Sequence, residues 1–347
     1  MRRIAVWNTA FLGDAVLTLP LLQSLRLRYP EAILDYYVRG GLETLFAAHP
    51  AITAVYSYDK RKRDRGAANL LRWGSFLARR HYSLWLSPHT SARSAFAAFA
   101  SRASVRVGYD SPVFNRIAYT HTVPRRFGEI GEIERILQLL LPLGPGPECL
   151  WPELVLSPEA HAGAEALFRV LDRNRPLLGM HPGSVWASKR WPPGKFASLA
   201  AMALEQGVQV LIFAGTGEES LARAIVEGVR TIRGRRAEPD LHDFSLSVSL
   251  PELAACIGRL DCYLANDSGP MHMAWALRTP VVALFGPTVR GFGFVPRGER
   301  DRVVEAEVPC RPCGRHGHLR CPLGHHLCMT LIRPEAVWEA VREALAL

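Results

Sequence analysis

The sequence predicts an α/β protein with two doubly wound parallel sheets. Short apolar runs alternate with amphipathic stretches along the 347 residues, and this alternation is typical of parallel sheets that carry helices on both faces. The alternation stops at a connection rich in Pro and Gly, LPLGPGPECLWPEL at 141–154, and then starts again. We therefore expect two domains, over residues 1–170 and 171–347.

The first half of the chain contains five apolar runs of strand length. They predict strands near 3–8, 32–38, 52–57, 82–87 and 104–109. Amphipathic segments predict helices near 14–29, 66–80, 91–100 and 129–141. Pro20 interrupts the first helical pattern, so that helix should bend there or end its first turn.

The second half repeats the pattern. Strands are predicted at 176–181, 208–214, 262–266 and 280–286, with helices between them. A Cys-rich segment follows at 310–328, and a terminal helix ends the chain. Ligands of open parallel sheets bind beyond the carboxyl ends of the strands, so the loop after each strand is where a site is expected.

The composition is that of a folded chain without a membrane span. Hydrophobic residues make up 48% of the sequence, and no stretch approaches the roughly 20 apolar residues that a transmembrane helix needs. The N-terminal MRR leads directly into an apolar run, without the long apolar region of a signal peptide. Seven cysteines, an odd number, do not suit a secreted disulfide framework. We expect a cytoplasmic protein.

Positive charge is concentrated in the first third of the chain. Residues 1–128 contain 19 Lys and Arg against 7 Asp and Glu, whereas residues 129–347 contain 23 against 25. The stretch KRKRDR at 60–65 is the densest part. A solvated basic face is one explanation. The other is an anionic partner, either nucleic acid, an acidic membrane surface or a phosphorylated substrate. No nucleic-acid-binding motif accompanies the charge, which disfavours nucleic acid.

One carboxylate stands between a glycine and the first helix, in TAFLGDAVLTLP at 9–20. Asp14 suits a helix N-terminus, because its side chain accepts a backbone hydrogen bond and its charge complements the helix dipole. It also follows a strand, where catalytic groups of such folds are placed. This stretch alone favours capping over catalysis.

Two loops of the second half have features of a phosphate or ribose site. HPGSVWASKRWPPGKF at 181–196 supplies Lys189, a point charge suited to phosphate or simply a solvated lysine. FAGTGEES at 213–220 supplies Glu218 and Glu219. Either acid is suited to ribose hydroxyls, as in dinucleotide sites, or both serve only the helix N-terminus.

The segment ANDSGPMHMAWALRTPVVALFGPT at 265–288 carries the strongest signal. A strand ends at Asp267, Ser268 and Gly269 make a turn, and Pro270 suits the first helical turn. Backbone N–H groups at such a helix start form an anion site, and His272 lies within the same turn. Asp267 is unusual beside an anion unless it caps the helix or accepts a sugar hydroxyl.

Four stretches, taken in order, resemble one family. They are FLGDAVLTLP with the Pro-ending helix at RLRYP, HPGSVWASKRWP, NDSGPMHMAWALRTPVVALFGPT and CRPCGRHGHLRCPLGHHLCM. Together they span nearly the whole chain and are specific, although none is specific alone. The chain resembles glycosyltransferase family 9, the heptosyltransferases that build the inner core of lipopolysaccharide, and its Cys-rich ending is most similar to the second heptosyltransferase.

The resemblance implies the GT-B fold, with two Rossmann-like domains facing a cleft, and an inverting transfer that needs neither metal nor cofactor. The C-terminal domain would hold ADP-heptose. The N-terminal domain would hold the lipid A–Kdo core acceptor at the cytoplasmic face of the inner membrane, with the enzyme bound peripherally. A basic first third fits an acidic acceptor in a membrane leaflet.

Roles of individual residues follow from motif position. Asp14 matches the catalytic base, and Lys189 matches the lysine that meets the donor phosphates. The substrate-binding positions are Gly13, Ser184, Glu218 or Glu219, Asp267, Ser268, Gly269 and His272. Many members have Arg where this chain has Asn8, so no role is expected for Asn8.

Several alternatives stay open. Cys310, Cys313, Cys321 and Cys328 either bind zinc or, as we favour, pack or form disulfides, because the second Cys pair is spaced more widely than is usual for structural zinc. A sibling transferase with another sugar or acceptor would need only changed pocket residues. A sugar-nucleotide epimerase shares the architecture, and a nucleotide-sugar binder without activity is a further possibility.

Overall fold

The computed structural model describes residues 2–59, 64, 66–234, 239–245 and 248–347. It divides the chain into two units, Met1–Ser157 and Pro158–Leu347. The division precedes the predicted one after residue 170, because the helix Pro158–Phe168 packs within the second unit. There Arg259 donates to the carbonyl of His161 at 3.2 Å and lies 3.5 Å from the Glu165 carboxylate.

The first unit is built on a six-stranded parallel sheet in the order β3-β2-β1-β4-β5-β6. Its strands are β1 (Arg3–Asn8), β2 (Ile33–Arg39), β3 (Ala54–Tyr58), β4 (Leu84–Leu86), β5 (Val105–Tyr109) and β6 (His121–Val123). Its helices are α1 (Leu12–Val16), α2 (Leu19–Arg28), α3 (Glu43–Phe46), α4 (Ala67–Ala78), α5 (Ala92–Ala100), α6 (Asn115–Ala118) and α7 (Glu132–Leu137). Ile4 of β1 lies opposite Leu84 of β4.

An aromatic cluster fills one face of this sheet. Trp7 of β1 stacks on Trp85 of β4 at a ring-centroid distance of 5.7 Å, and Tyr37 of β2 lies 5.2 Å from Trp7. Aromatic pairs of this kind add to the stabilisation from apolar burial. The cluster fixes β1 in the middle of the sheet, and β1 leads directly into Asp14.

The second unit repeats the architecture in the order β12-β11-β10-β7-β8-β9, again with all strands parallel. Its strands are β7 (Leu177–His181), β8 (Gln209–Ile212), β9 (Leu241–Asp243), β10 (Cys262–Asn266), β11 (Val281–Phe285) and β12 (Arg302–Glu305). Its helices are α8 (Pro158–Phe168), α9 (Pro193–Glu205), α10 (Glu219–Arg233), α11 (Leu250–Ile257), α12 (Gly269–Ala276), α13 (Leu327–Thr330) and α14 (Pro334–Leu345). Strands β7, β10 and β11 are fully buried, as expected of a sheet covered on both faces.

The predicted fold class is confirmed, and each predicted strand lies within a few residues of an observed one. Three observed strands, β6, β9 and β12, were absent from the prediction. They have three or four residues, lie at the sheet edges, and lack a continuous buried run. Pro20 acts as expected, because the first helix divides into α1 and α2 with Pro20 in the first turn of α2.

Each sheet has one point where the strand order reverses, and such points form ligand crevices in doubly wound folds. In the first unit it lies between β1 and β4, next to the loop that carries Asp14. In the second unit it lies between β7 and β10, where Ala265 pairs with His181. The loops after β7 and β10 carry Lys189 and Asp267.

Within the described residues, no helix combines the length and the apolar character needed to cross a bilayer. Most of the basic stretch 60–65, where an anionic partner was predicted to bind, lies outside the described residues. Asp64 is the described member, and its carboxylate accepts the backbone N–H of Asp59 at 2.7 Å.

Candidate active site

A buried ion pair lies at the switch point of the second unit. Lys189 ends a short 3-10 turn after β7, and Asp267 follows β10. Lys189 Nζ lies 2.5 Å from Asp267 Oδ2, and about a tenth of each side chain is exposed (10% and 8%). The Thr288 hydroxyl donates to the same carboxylate oxygen at 2.6 Å. Lys189 is therefore held by Asp267 and is not a solvated surface lysine.

Asp267 is ionised in this arrangement. Burial alone would raise its pKa, but the Lys189 ammonium and the Thr288 hydroxyl hold that pKa below its usual value. An ammonium has three N–H donors, and Asp267 engages Lys189 at one oxygen. Asp267 thus holds the Lys189 ammonium at the switch point. The predicted capping and sugar contacts of Asp267 stay predictions.

Asn266 joins the two loops, although the sequence analysis gave it no role. Its side-chain amide donates to the carbonyl of Pro182 at 2.8 Å and accepts the backbone N–H of Trp191 at 3.0 Å. Asn266 is fully buried at the end of β10. A polar amide at the end of an otherwise apolar strand was the available sequence signal, because a buried amide needs hydrogen-bond partners.

The first turn of α12 presents unpaired polar groups beside this ion pair. Ser268 occupies the N-cap position without a side-chain cap. In the described part of the chain, Ser268 Oγ and His272 Nδ1 are both buried and have no hydrogen-bond partner. The first turn of a helix also leaves backbone N–H groups free. Buried polar atoms without partners are costly, and an anion at this helix start would satisfy them.

His272 is neutral near pH 7 in the ligand-free protein. Burial lowers its pKa to about 4, and Asp267 opposes that shift only in part. A neutral imidazole has one N–H donor and one acceptor nitrogen. His272 therefore contributes a directed hydrogen bond to this site, and a bound anion would favour its protonation.

The structure distinguishes Glu218 from Glu219. Glu218 Oε2 lies 3.2 Å from His181 Nε2 and accepts the Gly215 N–H at 3.2 Å. A Cβ atom at Gly183 would lie 1.9 Å from the same oxygen, so Glu218 packs directly over the loop after β7. Burial would raise the pKa of Glu218, but His181 and Gly215 hold it below its usual value.

Glu219 has a local role. Its carboxylate accepts the Gly217 N–H at 2.9 Å in the first turn of α10, and this hydrogen bond lowers its pKa. Ser184 lies in the loop after β7, and its carbonyl accepts from Arg190 at 2.8 Å. Gly269 is the first residue of α12. Of the two acids, Glu218 is the one beside the predicted site loops.

The segment 310–328, hereafter the Cys/His segment, packs against the turn that carries Lys189. Ser188 N–H donates to the His318 carbonyl at 3.0 Å, and His318 N–H donates to Ser188 Oγ at 2.8 Å. His326 Nε2 donates to the Ser188 carbonyl at 2.7 Å. A Cβ atom at Gly317 would lie 2.9 Å from Lys189 Cγ. This close approach fixes the stem of Lys189.

The same segment also contacts the loop of Thr288. Arg311 donates to the Thr288 carbonyl at 2.8 Å and to the Glu305 carboxylate at 2.6 Å. Cys313 N–H donates to the Pro287 carbonyl at 3.0 Å. The Cys/His segment therefore supports both residues that hold Asp267.

The cysteines themselves are free thiols, so the predicted disulfide alternative is wrong in this structure. Cys328 is buried, and Cys310, Cys313 and Cys321 are half-buried. Among the described residues, which include the whole Cys/His segment, no three His, Cys, Asp or Glu side chains are arranged to hold a metal ion. The segment is thus held by the hydrogen bonds and packing given above.

Asp14 caps α1, but from inside the helix. It is the third residue of the helix, after the buried Gly13, and its Oδ2 accepts the N–H of Phe11 at 3.2 Å. The side chain is half-buried, at the switch point of the first sheet. The capping prediction therefore describes a real contact.

Asn8 shapes the loop of Asp14, contrary to the expectation that it has no role. Its amide donates to the Asp14 carbonyl at 3.1 Å and to Thr18 Oγ1 at 2.8 Å. Thr18 Oγ1 donates to the same Asp14 carbonyl at 2.8 Å. The break between α1 and α2 removes the helical partner of this carbonyl, and the two side chains replace it.

A cation lies at the same sheet edge as Asp14. Arg125 follows β6, donates to Thr90 Oγ1 at 3.1 Å and lies 3.5 Å from the buried carboxylate of Glu132. Within the described chain, Arg125 Nε is buried without a partner. Burial raises the pKa of Glu132, Asp14 adds to that rise, and Arg125 opposes it. The first unit thus places a guanidinium at the sheet edge that also carries its predicted base.

The low pKa of His272 predicts a specific acid sensitivity. Between about 4 and the ordinary value of 6.5 the unfolded chain binds a proton at this residue that the folded chain does not, so stability falls as pH drops through that window. We expect protonation of His272 in the unfolded chain to lower the free energy of unfolding by about 2 kcal/mol between pH 7.5 and pH 5. Urea denaturation of wild type and His272→Gln at both pH values measures this term. An equal pH response in the two proteins would contradict it.

Comparison with known proteins supports one family. Lipopolysaccharide heptosyltransferase 2 of Salmonella typhimurium is 25% identical over 99% of this chain and 99% of its own length. The glycosyl transferase family 9 structure from Veillonella parvula superposes with a TM-score of 0.85 at 22% identity, covering 99% of this chain and 97% of that one. The structure of E. coli ADP-heptose lps heptosyltransferase II gives 0.79 at 22% identity, covering 100% and 99%.

The sequence model described as glycosyltransferase family 9 (heptosyltransferase) matches residues 70–321, well over half of the chain. The two solved structures share the fold of this chain, which has two parallel-sheet units. The chain therefore belongs to glycosyltransferase family 9, the heptosyltransferase family, and is a glycosyltransferase.

Proposed function

We propose that this glycosyltransferase moves L-glycero-D-manno-heptose from ADP-heptose to the lipid A–Kdo inner core of lipopolysaccharide. Family membership supports a heptosyl transfer, and the similar proteins named above act on lipopolysaccharide or carry ADP-heptose in their names. The second unit binds the donor, and the first unit binds the acceptor.

The observation that carries the proposal is the buried Lys189–Asp267 pair beside the first turn of α12. A diphosphate there would receive hydrogen bonds from Lys189 Nζ, from free backbone N–H groups, and from the unpaired groups of Ser268 and His272. Charge-assisted hydrogen bonds of this kind are about twice as strong as neutral ones. Glu218, the acid beside the loop after β7, is proposed to accept hydrogen bonds from the ribose hydroxyls.

The reaction is proposed to be one inverting displacement. Asp14 removes the proton of the acceptor hydroxyl, and the oxygen forms a bond to the anomeric carbon of heptose. The bond from that carbon to the diphosphate breaks, and its electron pair leaves with ADP. Lys189, His272 and the α12 N-terminus stabilise the developing charge, and preorganised donors usually supply the largest catalytic term. These groups let the transfer proceed without a metal or a cofactor.

The charge of the first unit supports the proposal that this unit binds the acceptor. Inner-core acceptors carry acidic sugars and phosphates, and Arg125 lies at the sheet edge of Asp14 with an unpaired Nε. The excess of 19 basic over 7 acidic residues in 1–128 suits an anionic acceptor in a membrane leaflet. We accordingly propose that the enzyme works in the cytoplasm, bound peripherally to the inner membrane.

An epimerase of similar architecture is the alternative from another class. An epimerase would invert a stereocentre within the nucleotide sugar and would need no acceptor. The positive charge of the first unit would then have no function in the reaction. Family membership favours the transferase. A sibling transferase differs only in the sugar or acceptor, and product mass distinguishes it.

Replacement of Asp14 by Asn tests the proposed reaction. We expect purified wild type to release ADP only with a Kdo-bearing lipid A acceptor, and the product to gain the mass of one heptose. Asp14→Asn keeps the bond to Phe11 N–H but removes the base, so transfer should fall about 10²–10⁴-fold while ADP binding stays unchanged. Release of ADP without acceptor mass gain, or full activity in the variant, would contradict the proposal.

Gly317 provides a test of how the donor site is held. A methyl group there would meet Lys189 Cγ at 2.9 Å and Trp186 Cβ at 2.6 Å, so Gly317→Ala should displace the lysine. We expect ADP affinity to fall about tenfold, since one charge-assisted hydrogen bond contributes ~1.5–3 kcal/mol. The acceptor KM should stay unchanged. Gly291→Ala is the matched control, because nothing lies within 4 Å of its added Cβ. Equal ADP affinity in both variants would count against the positioning role.

A further inference from the structure

An exposed apolar turn follows β5 in the first unit. Its exposed apolar side chains are Val113, Phe114 and Ile117, with relative exposures of 77%, 42% and 77%. Residues separated by three or four positions in a helical turn share one face, so these three form one patch. Single exposed apolar residues are common, but a contiguous patch marks an interaction surface. We call residues 112–118 the apolar turn.

Hydrogen bonds of the Asn115 side chain and of the backbone hold the apolar turn in place. Asn115 is buried, and its amide donates to the carbonyls of Tyr109 at 2.9 Å and Ser111 at 3.1 Å. Backbone bonds from Asn115 to Pro112 and from Ile117 to Phe114 close the turn at 2.9 and 3.2 Å. The exposed side chains are therefore presented on an anchored scaffold.

Exposed arginines lie in the apolar turn and along the neighbouring helix α5. Arg116 is exposed within the turn, and α6 packs against α5, which contains the exposed Arg93 and is followed by the exposed Arg102. Within the described chain, none of these three guanidinium groups forms an ion pair or a hydrogen bond. An apolar patch with unpaired arginines complements a surface that is anionic outside and apolar beneath.

The apolar turn also begins at the functional edge of its sheet. It follows the carboxyl end of β5, and the loop of Asp14 follows the carboxyl end of β1. All strands of this sheet are parallel, so both loops leave the same edge. A surface bound by the apolar turn therefore lies on the side of the first unit where an acceptor would reach Asp14.

We propose that the apolar turn inserts Val113, Phe114 and Ile117 into the headgroup–acyl boundary of an anionic bilayer, while Arg93, Arg102 and Arg116 contact lipid phosphates. This proposal rests on the proposed function, because it explains how a lipid-anchored acceptor is presented to Asp14. The occupant is the membrane surface itself, and the charge of the patch selects anionic over neutral lipid.

Vesicle binding tests the proposal directly. The full chain is sedimented with vesicles of phosphatidylglycerol and phosphatidylcholine, and with phosphatidylcholine alone. We expect binding only to the anionic vesicles, and a loss of about tenfold or more in the double variant Val113→Glu/Ile117→Glu. Val170→Glu/Ile232→Glu is the matched control, because both residues are exposed in the second unit and the charge change is the same. The control should bind as wild type does.

A transfer assay separates this proposal from the proposed function. With a deacylated, soluble acceptor the apolar-turn variant should match wild type, and with acceptor in anionic vesicles it should be about tenfold slower or more. Failure of wild type to transfer heptose to the soluble acceptor would overturn the proposed function. Vesicle binding would still show whether the apolar turn binds the membrane.

Three outcomes would overturn the proposal that the apolar turn binds an anionic membrane. The first is equal vesicle binding by the apolar-turn variant and the control. The second is equal binding of wild type to neutral and anionic vesicles. The third is a wild-type dimer that the variant converts to a monomer without any change in vesicle binding, which would make the patch a contact between two copies.

Discussion

Lys189 and Asp267 are the two charges that the second unit buries at its switch point, and neither would be stable there alone. Burial of an unpaired charge is strongly unfavourable, so the pair must be held at contact distance. Asn266 ties the loop of one charge to the strand of the other, and Thr288 shares the carboxylate. The Cys/His segment closes the arrangement by packing on Ser188 and on the stem of Lys189.

The same buried pair lies beside the polar groups that we propose bind the donor diphosphate. Burial keeps His272 neutral, although the Asp267 carboxylate opposes that shift in its pKa, and the first turn of α12 contains buried polar groups without partners. A diphosphate would complete this set and would not need to displace a tightly bound partner. In the first unit, side chains also hold a loose end of the backbone: Asn8 and Thr18 donate to the Asp14 carbonyl at the break between α1 and α2.

Much of this was predictable from the sequence, because buried parallel strands and Gly- or Pro-marked turns are local signals. Asp14, Lys189 and His272 were found as residues that follow strands. The partner of Asp267 was not, since the contact with Lys189 joins positions 78 residues apart. Asn8 was missed although its contacts are local, with residues 6 and 10 positions away. Asn266 and Gly317 were missed for the same reason as the Lys189–Asp267 contact. Their roles depend on which loops the strand order brings together, and no local pattern encodes that.

The affinities of ADP and adenosine test most directly the proposed contact between Lys189 and the phosphates of the donor. The comparison uses wild type, Lys189→Met, and Lys189→Met/Asp267→Asn, which leaves no buried unpaired carboxylate. We expect both variants to bind ADP about tenfold or more weakly, with adenosine affinity unchanged. Unchanged ADP affinity, or an equal loss for ADP and adenosine in the double variant, would contradict the claim.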